Sequence, residues 1–346
     1  VNIMKGLIFF IAAVAIAFHN LSSAQTIDPA MLEALKSQAN MKQGNSTVIS
    51  PLDQARQQEN INNQALQLEK IRQELKAPSR LELDYQKRLD SSVTQYGYSL
   101  FANILPASGA LTGTVSDNYK LGIGDELIVT FQGSKSQSFT VKVDMEGRVI
   151  IPDLKPITVS GMSYGNFRSI VKKQVADSII GTEVYISLAS VRMISVFVVG
   201  EVGVPGVVRT SSLSSPLEIL MQAGGVKKTG SLRNIAIYRA GQRSIFDIYD
   251  LLQGKVAGGA TLNDGDRIIV PTIGATIALD GEVVRPAIYE LPAGQENISY
   301  PEAMKLSGGT LRPSGYELSQ LRIDSQGKQS FHKIDGDETI ANGEAV

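Results

Sequence analysis

Hydrophobic and polar positions alternate through Phe139-Thr140-Val141-Lys142-Val143, the period-two pattern of a half-buried strand. Leu127-Ile128-Val129-Thr130-Phe131 precedes it as another strand. Val149-Ile150-Ile151 follows the turn Glu146-Gly147-Arg148, and Thr158-Val159 adds a short strand. From Ser163 the period changes. Tyr164, Phe167, Val171 and Val175 share one face of a helix, and Val184-Tyr185-Ile186-Ser187-Leu188 returns to a strand. Together these predict an α+β domain over 118–191.

The preceding chain is patterned differently. Residues 25–96 are rich in Gln, Asn and charge and predict an N-terminal helical arm. Ser50-Pro51-Leu52-Asp53 starts a helix with a cap, a proline in the first turn and an acid three residues after the cap. Ile61, Leu68, Ile71 and Leu75 then form one narrow apolar stripe. Pro78 ends it, and a second amphipathic piece runs through Leu81, Tyr85 and Leu89. The stripe suits an arm lying on the domain surface, or alternatively a spacer or oligomer contact. Tyr96-Gly97-Tyr98-Ser99-Leu100-Phe101 is an aromatic cluster, and a linker is expected over 97–117.

The rest of the chain repeats itself, which constrains the fold more than any single motif. Each copy has a strand ending Gly-Glu-Val and then a proline. Gly200 to Pro205 opens the first copy and Gly281 to Pro286 the second. Each then has a short helix ending in a double glycine, Gly224-Gly225 and Gly308-Gly309, which suits a helix C-terminus before a sharp reversal. Each closes alike, on Asn263-Asp264-Gly265-Asp266 and on Ala341-Asn342-Gly343-Glu344. Strand, strand, helix, strands predicts two β-grasp-like modules, 194–271 and 275–346. The second meets Val346 inside what the first makes its last strand, so a natural C-terminus beyond Val346 is expected.

The chain's beginning reads as a secretory signal. Lys5 is followed by an apolar run from Gly6 to Phe18, shorter than the ~20 residues a membrane span needs. Ser22-Ser23-Ala24 places small residues for cleavage between Ala24 and Gln25, giving a signal peptide over 1–24. A periplasmic or outer-membrane location is then expected. The chain has no Cys, which removes disulfides, thiolate metal sites, Cys nucleophiles and a lipid-modified N-terminal Cys. A formal net charge of −1 offers no basic surplus for nucleic acid.

The α+β domain resembles the polysaccharide-export domain of outer-membrane polysaccharide export proteins. The likeness is carried by Tyr119-Lys120-Leu121-Gly122-Ile123-Gly124-Asp125-Glu126-Leu127, by Val143 to Pro152 with Gly147, and by Ser160-Gly161-Met162-Ser163 leading into the helix. The repeats resemble the soluble-ligand-binding β-grasp (SLBB) modules that follow that domain in the family. Gly122, Gly124, Asp125, Gly147 and Gly161 would be turn positions of the export domain. Gly200, Pro205, Gly224, Gly225, Gly281, Pro286, Gly308 and Gly309 would be turns of the repeats. The resemblance implies a non-enzymatic, ring-shaped homo-oligomer that passes capsular or exopolysaccharide across the periplasm and outer membrane. It would work with an inner-membrane polysaccharide co-polymerase and without a cofactor. A soluble periplasmic ligand-binding or scaffold protein is the alternative.

A third candidate is a serine hydrolase, because Gly161-Met162-Ser163-Tyr164-Gly165 matches the nucleophile-elbow spacing. The rival role for Ser163 is a helix cap. Only His332 would survive signal cleavage to act as base, and it lies in the second repeat. Gly225 to Gly230 has P-loop spacing but lacks the lysine that follows the second glycine, so Lys227 and Lys228 are expected in a solvated turn. Gly124-Asp125 and Asp264-Gly265-Asp266 are too poor in acids for a calcium loop and are expected as tight turns ahead of strands.

Overall fold

The segment 118–191 folds as its periodicities dictate. In the computed structural model, β1 (Glu126–Gly133), β2 (Gln137–Lys142) and β5 (Thr182–Ser190) form an antiparallel sheet ordered β2-β1-β5. β3 (Arg148–Val149) and β4 (Ile157–Thr158) make a small hairpin. Residues 73–102, 115–255, 261–324 and 326–346 are described, with scattered positions between 59 and 71. All features below lie in the unit Ala65–Val346. The segment carrying Ala24 and Gln25, His19, and the helix start at Ser50-Pro51 lie outside the described residues, as do Ile61 and Leu68.

The helices α1 (Arg80–Leu89) and α2 (Ser99–Ala102) precede this sheet. The export helix, α3 (Tyr164–Ser178), buries Tyr164, Phe167, Val171 and Val175. These pack with Leu127, Val129 and Phe131 in one core. Full burial of each such side chain stabilises by about 1.5–3 kcal/mol.

The first repeat holds β6 (Met193–Gly200), β7 (Gly206–Ser211), α4 (Pro216–Gln222), β8 (Ile235–Arg239), β9 (Gln242–Phe246), α5 (Ile248–Leu252) and β10 (Arg267–Val270). Its sheet runs β7-β6-β10-β8-β9, with only β6 and β10 parallel. The second holds β11 (Thr276–Leu279), β12 (Ala287–Glu290), β13 (Asn297–Ser299), α6 (Tyr300–Ser307), β14 (Leu318–Ile323), β15 (Gln329–Ile334) and β16 (Thr339–Ala341). Residues 344–346 lie between β11, which they join in parallel, and β14, which they join antiparallel. They occupy the place β10 has in the first repeat. The second sheet is therefore β12-β11-(344–346)-β14-β15, the same order as the first.

Hydrogen bonds repeat position by position. Gly265 N donates to Ser195 O, as Gly343 N does to Thr276 O. Phe197 N donates to Asp266 O, as Ala278 N does to Glu344 O. Ser195 N donates to Asp264 Oδ1, as Thr276 N does to Asn342 Oδ1.

The two repeats share one hydrophobic core. Val196, Val198 and Ile268 of the first cluster with Ile277, Tyr289 and Ile340 of the second. Leu75, Tyr98 and Phe101 join the same cluster. Here the structure departs from the sequence-based division. The expected linker over 97–117 is, up to Ala102, a buried turn and helix. The end of the expected surface arm is likewise part of the fold. Tyr98 Oη donates to Gly230 O. The Tyr96 ring lies 5.1 Å from that of Tyr249 and 5.0 Å from that of Tyr289. α1 carries a capping box between Ser79 and Glu82 and buries Tyr85. Tyr85 and Val93 pack against Ala278, Ile288, Leu321 and Ala345, so α1 lies on the second sheet.

Candidate functional site

A carboxylate ahead of a strand recurs three times, buried at Asp125 and Asp266 and half-buried at Glu344. Asp125 Oδ2 accepts from Gly122 N at 2.8 Å, Asp266 Oδ2 from Asn263 N at 2.8 Å, and Glu344 Oε2 from Ala341 N at 2.8 Å. In each case the carboxylate ties down the backbone three residues earlier and then engages a side chain from elsewhere in the chain. Arg239 Nη2 meets Asp266 Oδ2 at 2.6 Å and also donates to Thr261 O. Gln320 Nε2 meets Glu344 Oε2 at 2.6 Å and also donates to Thr339 O. A glycine before an acid and a strand was the visible sequence signal. The partners were not visible.

Asp125 has the largest set of partners, and they reach to Arg192 at the junction with the first repeat. Its oxygens accept from Tyr119 Oη at 2.9 and 3.0 Å, from Arg192 N at 2.8 Å and from Arg192 Nη1 at 3.0 Å. Tyr119 Oη is also 2.8 Å from Ser212 Oγ. Burial, the largest effect, pushes the Tyr119 hydroxyl up to about 12, so it stays protonated and can donate. A Cβ at Gly122 would fall 2.7 Å from Arg192 Cζ, so a larger residue there would displace this guanidinium.

This network backs a cleft of about 1240 Å³ lined by both polar and apolar groups. Tyr119, Lys120 and Gly161 line it from the export domain, and Arg192, Ser212 and Arg239 from the other side. It presents ammonium, hydroxyl and backbone groups with the Asp264 carboxylate, and its guanidiniums are paired with Asp125 and Asp266, so it suits a hydroxyl-rich ligand. Among the described residues no cluster of His, Asp and Glu could hold a metal ion. No described helix is long and apolar enough to cross a membrane.

The other expected positions are turns or caps. Gly124, Gly147, Gly161, Gly200, Gly224, Gly225, Gly281, Gly308 and Gly309 all have positive φ. Gly200 illustrates the demand most sharply, because a Cβ there would sit 2.0 Å from Val270 O. Pro205 and Pro286 lie in the β6–β7 and β11–β12 turns. Ser163 Oγ caps α3 by accepting from Asn166 N. His332 is on exposed β15, with Nε2 2.8 Å from Ser330 Oγ.

Lys228 departs from expectation. It is not a solvated turn residue. Its ammonium lies 2.7 Å from Glu82 Oε2, with the two side chains 13% and 0% exposed.

Comparison with known proteins agrees with this order of domains. Residues 113–189 match the family described as polysaccharide biosynthesis/export protein, and residues 195–270 match the SLBB domain. Two curated proteins of Escherichia coli, each named polysialic acid transport protein KpsD, are 29% identical over 238 residues. The alignment covers 68% of this chain and 42% of each relative, so the chain spans well under half the length of the relatives it matches. This α+β chain thus carries a segment similar to the polysaccharide biosynthesis/export family, followed by an SLBB domain and a second module of the same sheet order and hydrogen bonding.

Proposed function

We propose that the protein is a non-enzymatic component of the bacterial envelope machinery that exports capsular or exopolysaccharide. In this reading it is one subunit of an oligomeric conduit across the periplasm and outer membrane, partnered by an inner-membrane co-polymerase. The single observation that carries the proposal is the export domain followed directly by an SLBB domain. Similarity to proteins named for polysialic acid transport adds the expectation of an anionic polymer. The cleft beside Tyr119, Lys120 and Ser212 supports the proposal, since its hydroxyl, ammonium and backbone groups can hydrogen-bond a hydrated sugar chain. Deleting the gene should abolish surface polysaccharide while intracellular polymer accumulates. Unchanged surface polysaccharide would end the proposal.

The cleft also favours a second reading, a soluble periplasmic protein that binds a ligand there. The two differ in assembly. A conduit subunit forms a large, stable ring in detergent, whereas the ligand-binding protein stays monomeric under all conditions.

A further inference from the structure

The repeats allow one module to serve as a template for the other. One row across the second sheet is Ile288, Ala278, Ala345, Leu321 and Phe331. The matching row in the first sheet is Val207, Phe197, Arg267, Tyr238 and Arg243. In the second module a helix lies on this face. Tyr85 of α1 is buried there, its Oη donating to Thr276 O at 2.9 Å, and Arg88 Nη1 donates to Gly343 O at 2.6 Å. In the first module the same face is open: Val207 is 63% exposed, Met193 62% and Phe197 43%.

The open face differs from the covered one in chemistry. Arg267 stands where the covered face has Ala345, and Arg243 where it has Phe331. Arg209 adds a third exposed guanidinium beside Ser195. The outward positions of β6 to β10 include no Asp or Glu. An apolar patch interspersed with three arginines fits a helix with an apolar stripe flanked by carboxylates. The outer side of α1 does not match, because exposed Leu83 is accompanied by Arg80 and Lys87 as well as Asp84. Charge therefore argues against α1 of a second copy as the occupant. An anionic sugar chain would use the arginines and Tyr238 but gain little from Val207 and Met193.

We propose that the outward face of β7-β6-β10-β8 docks an acidic amphipathic helix of a partner protein, seated as α1 is seated on the second module. The probe is a synthetic helical peptide with a leucine stripe flanked by glutamates, titrated against the intact protein by fluorescence anisotropy. A peptide with lysine in place of glutamate and an anionic oligosaccharide serve as controls. Val207→Ser and Arg267→Glu should each weaken the glutamate peptide at least about tenfold, as loss of a central contact does. Both positions are exposed, so an unchanged Tm shows that the variants fold. A photo-crosslinker at position 207 in intact cells should then label an acidic helix of another protein, with the adduct lost in Arg267→Glu. Equal binding of the glutamate and lysine peptides would overturn the proposal. So would binding insensitive to Val207→Ser, oligosaccharide competition sensitive to Arg267→Glu alone, or crosslinks confined to a second copy or to polysaccharide.

Discussion

Lys228 and Glu82, far apart in sequence, form an ion pair at 2.7 Å with the carboxylate fully buried. The same carboxylate accepts from the backbone N–H groups of Ser79 and Gln95, and the ammonium also donates to Ala77 O. One pair thus fixes the segment before the export domain to the first repeat. Removing the cation leaves a buried charge with only its backbone donors. Lys228→Met should cost about 3–5 kcal/mol of stability in urea unfolding. Pairing it with Glu82→Gln should recover part of that, because the uncompensated charge is gone. A cost below about 1 kcal/mol for the single variant, the range of an exposed pair, would contradict the buried geometry.

The Asp125 network makes a second prediction. Asp125 is buried and serves Tyr119, Gly122 and Arg192 together. Asp125→Ala would strand those donors at the junction between the export core and the repeat core. The variant should lose several kcal/mol, about the 3–5 expected for breaking a buried ion pair. Limited proteolysis should cut faster near Val191, between the two matched domains. Arg192→Lys should lose less, since the backbone N–H of residue 192 still reaches Asp125 Oδ1. Equal proteolysis of wild type and Asp125→Ala would show that the network does not hold the junction.

Much of this was legible in the sequence. The α3 face of Tyr164, Phe167, Val171 and Val175 follows from its spacing, because a helix with one apolar stripe has few ways to bury it. The repeat could be read from turn residues, since the double glycines and the Gly-acid pairs are backbone demands. The docking of residues 73–102 could not. Their polar composition says surface, and only tertiary contacts show Tyr98 and Phe101 sunk between modules. Lys228 was misread for the same reason: a lysine beside a glycine-rich turn has no local sign of a carboxylate far upstream. The cleft was invisible because its arginines come from separate strands and loops.

Gly200 and Gly281 hold equivalent places in the two repeats and predict unequal outcomes. Both have positive φ, at 93° and 75°. An alanine at either pays the left-handed penalty of about 1–2 kcal/mol. At position 281 the added methyl meets open space, whereas at 200 it lands 2.0 Å from Val270 O, in backbone of the parallel β6–β10 pair. Gly281→Ala should therefore stay near that penalty, and Gly200→Ala should exceed it clearly, at about 4 kcal/mol or more. Thermal unfolding of the two variants side by side checks this, and equal shifts in Tm would contradict it.

Glu290 joins the two repeats and should make their stability depend on pH. Its carboxylate, nearly inaccessible, accepts from Leu232 N at 2.9 Å and Gly274 N at 3.1 Å, both of the first repeat or its exit. Burial raises its pKa above the usual carboxylate value, and the hydrogen bonds only partly oppose this. In the folded state Glu290 thus keeps its proton to higher pH than in the unfolded chain. Between the two pKa values the folded state binds more protons, so stability is greatest below the unfolded value near 4.5 and is lost as pH rises through the folded one. Asp247, also raised mainly by burial, adds in the same direction. Urea unfolding from pH 4.5 upward should show this loss in wild type and a shallower slope in Glu290→Gln, whatever the variant's absolute stability. Identical slopes in the two proteins would show that Glu290 does not titrate differently on folding.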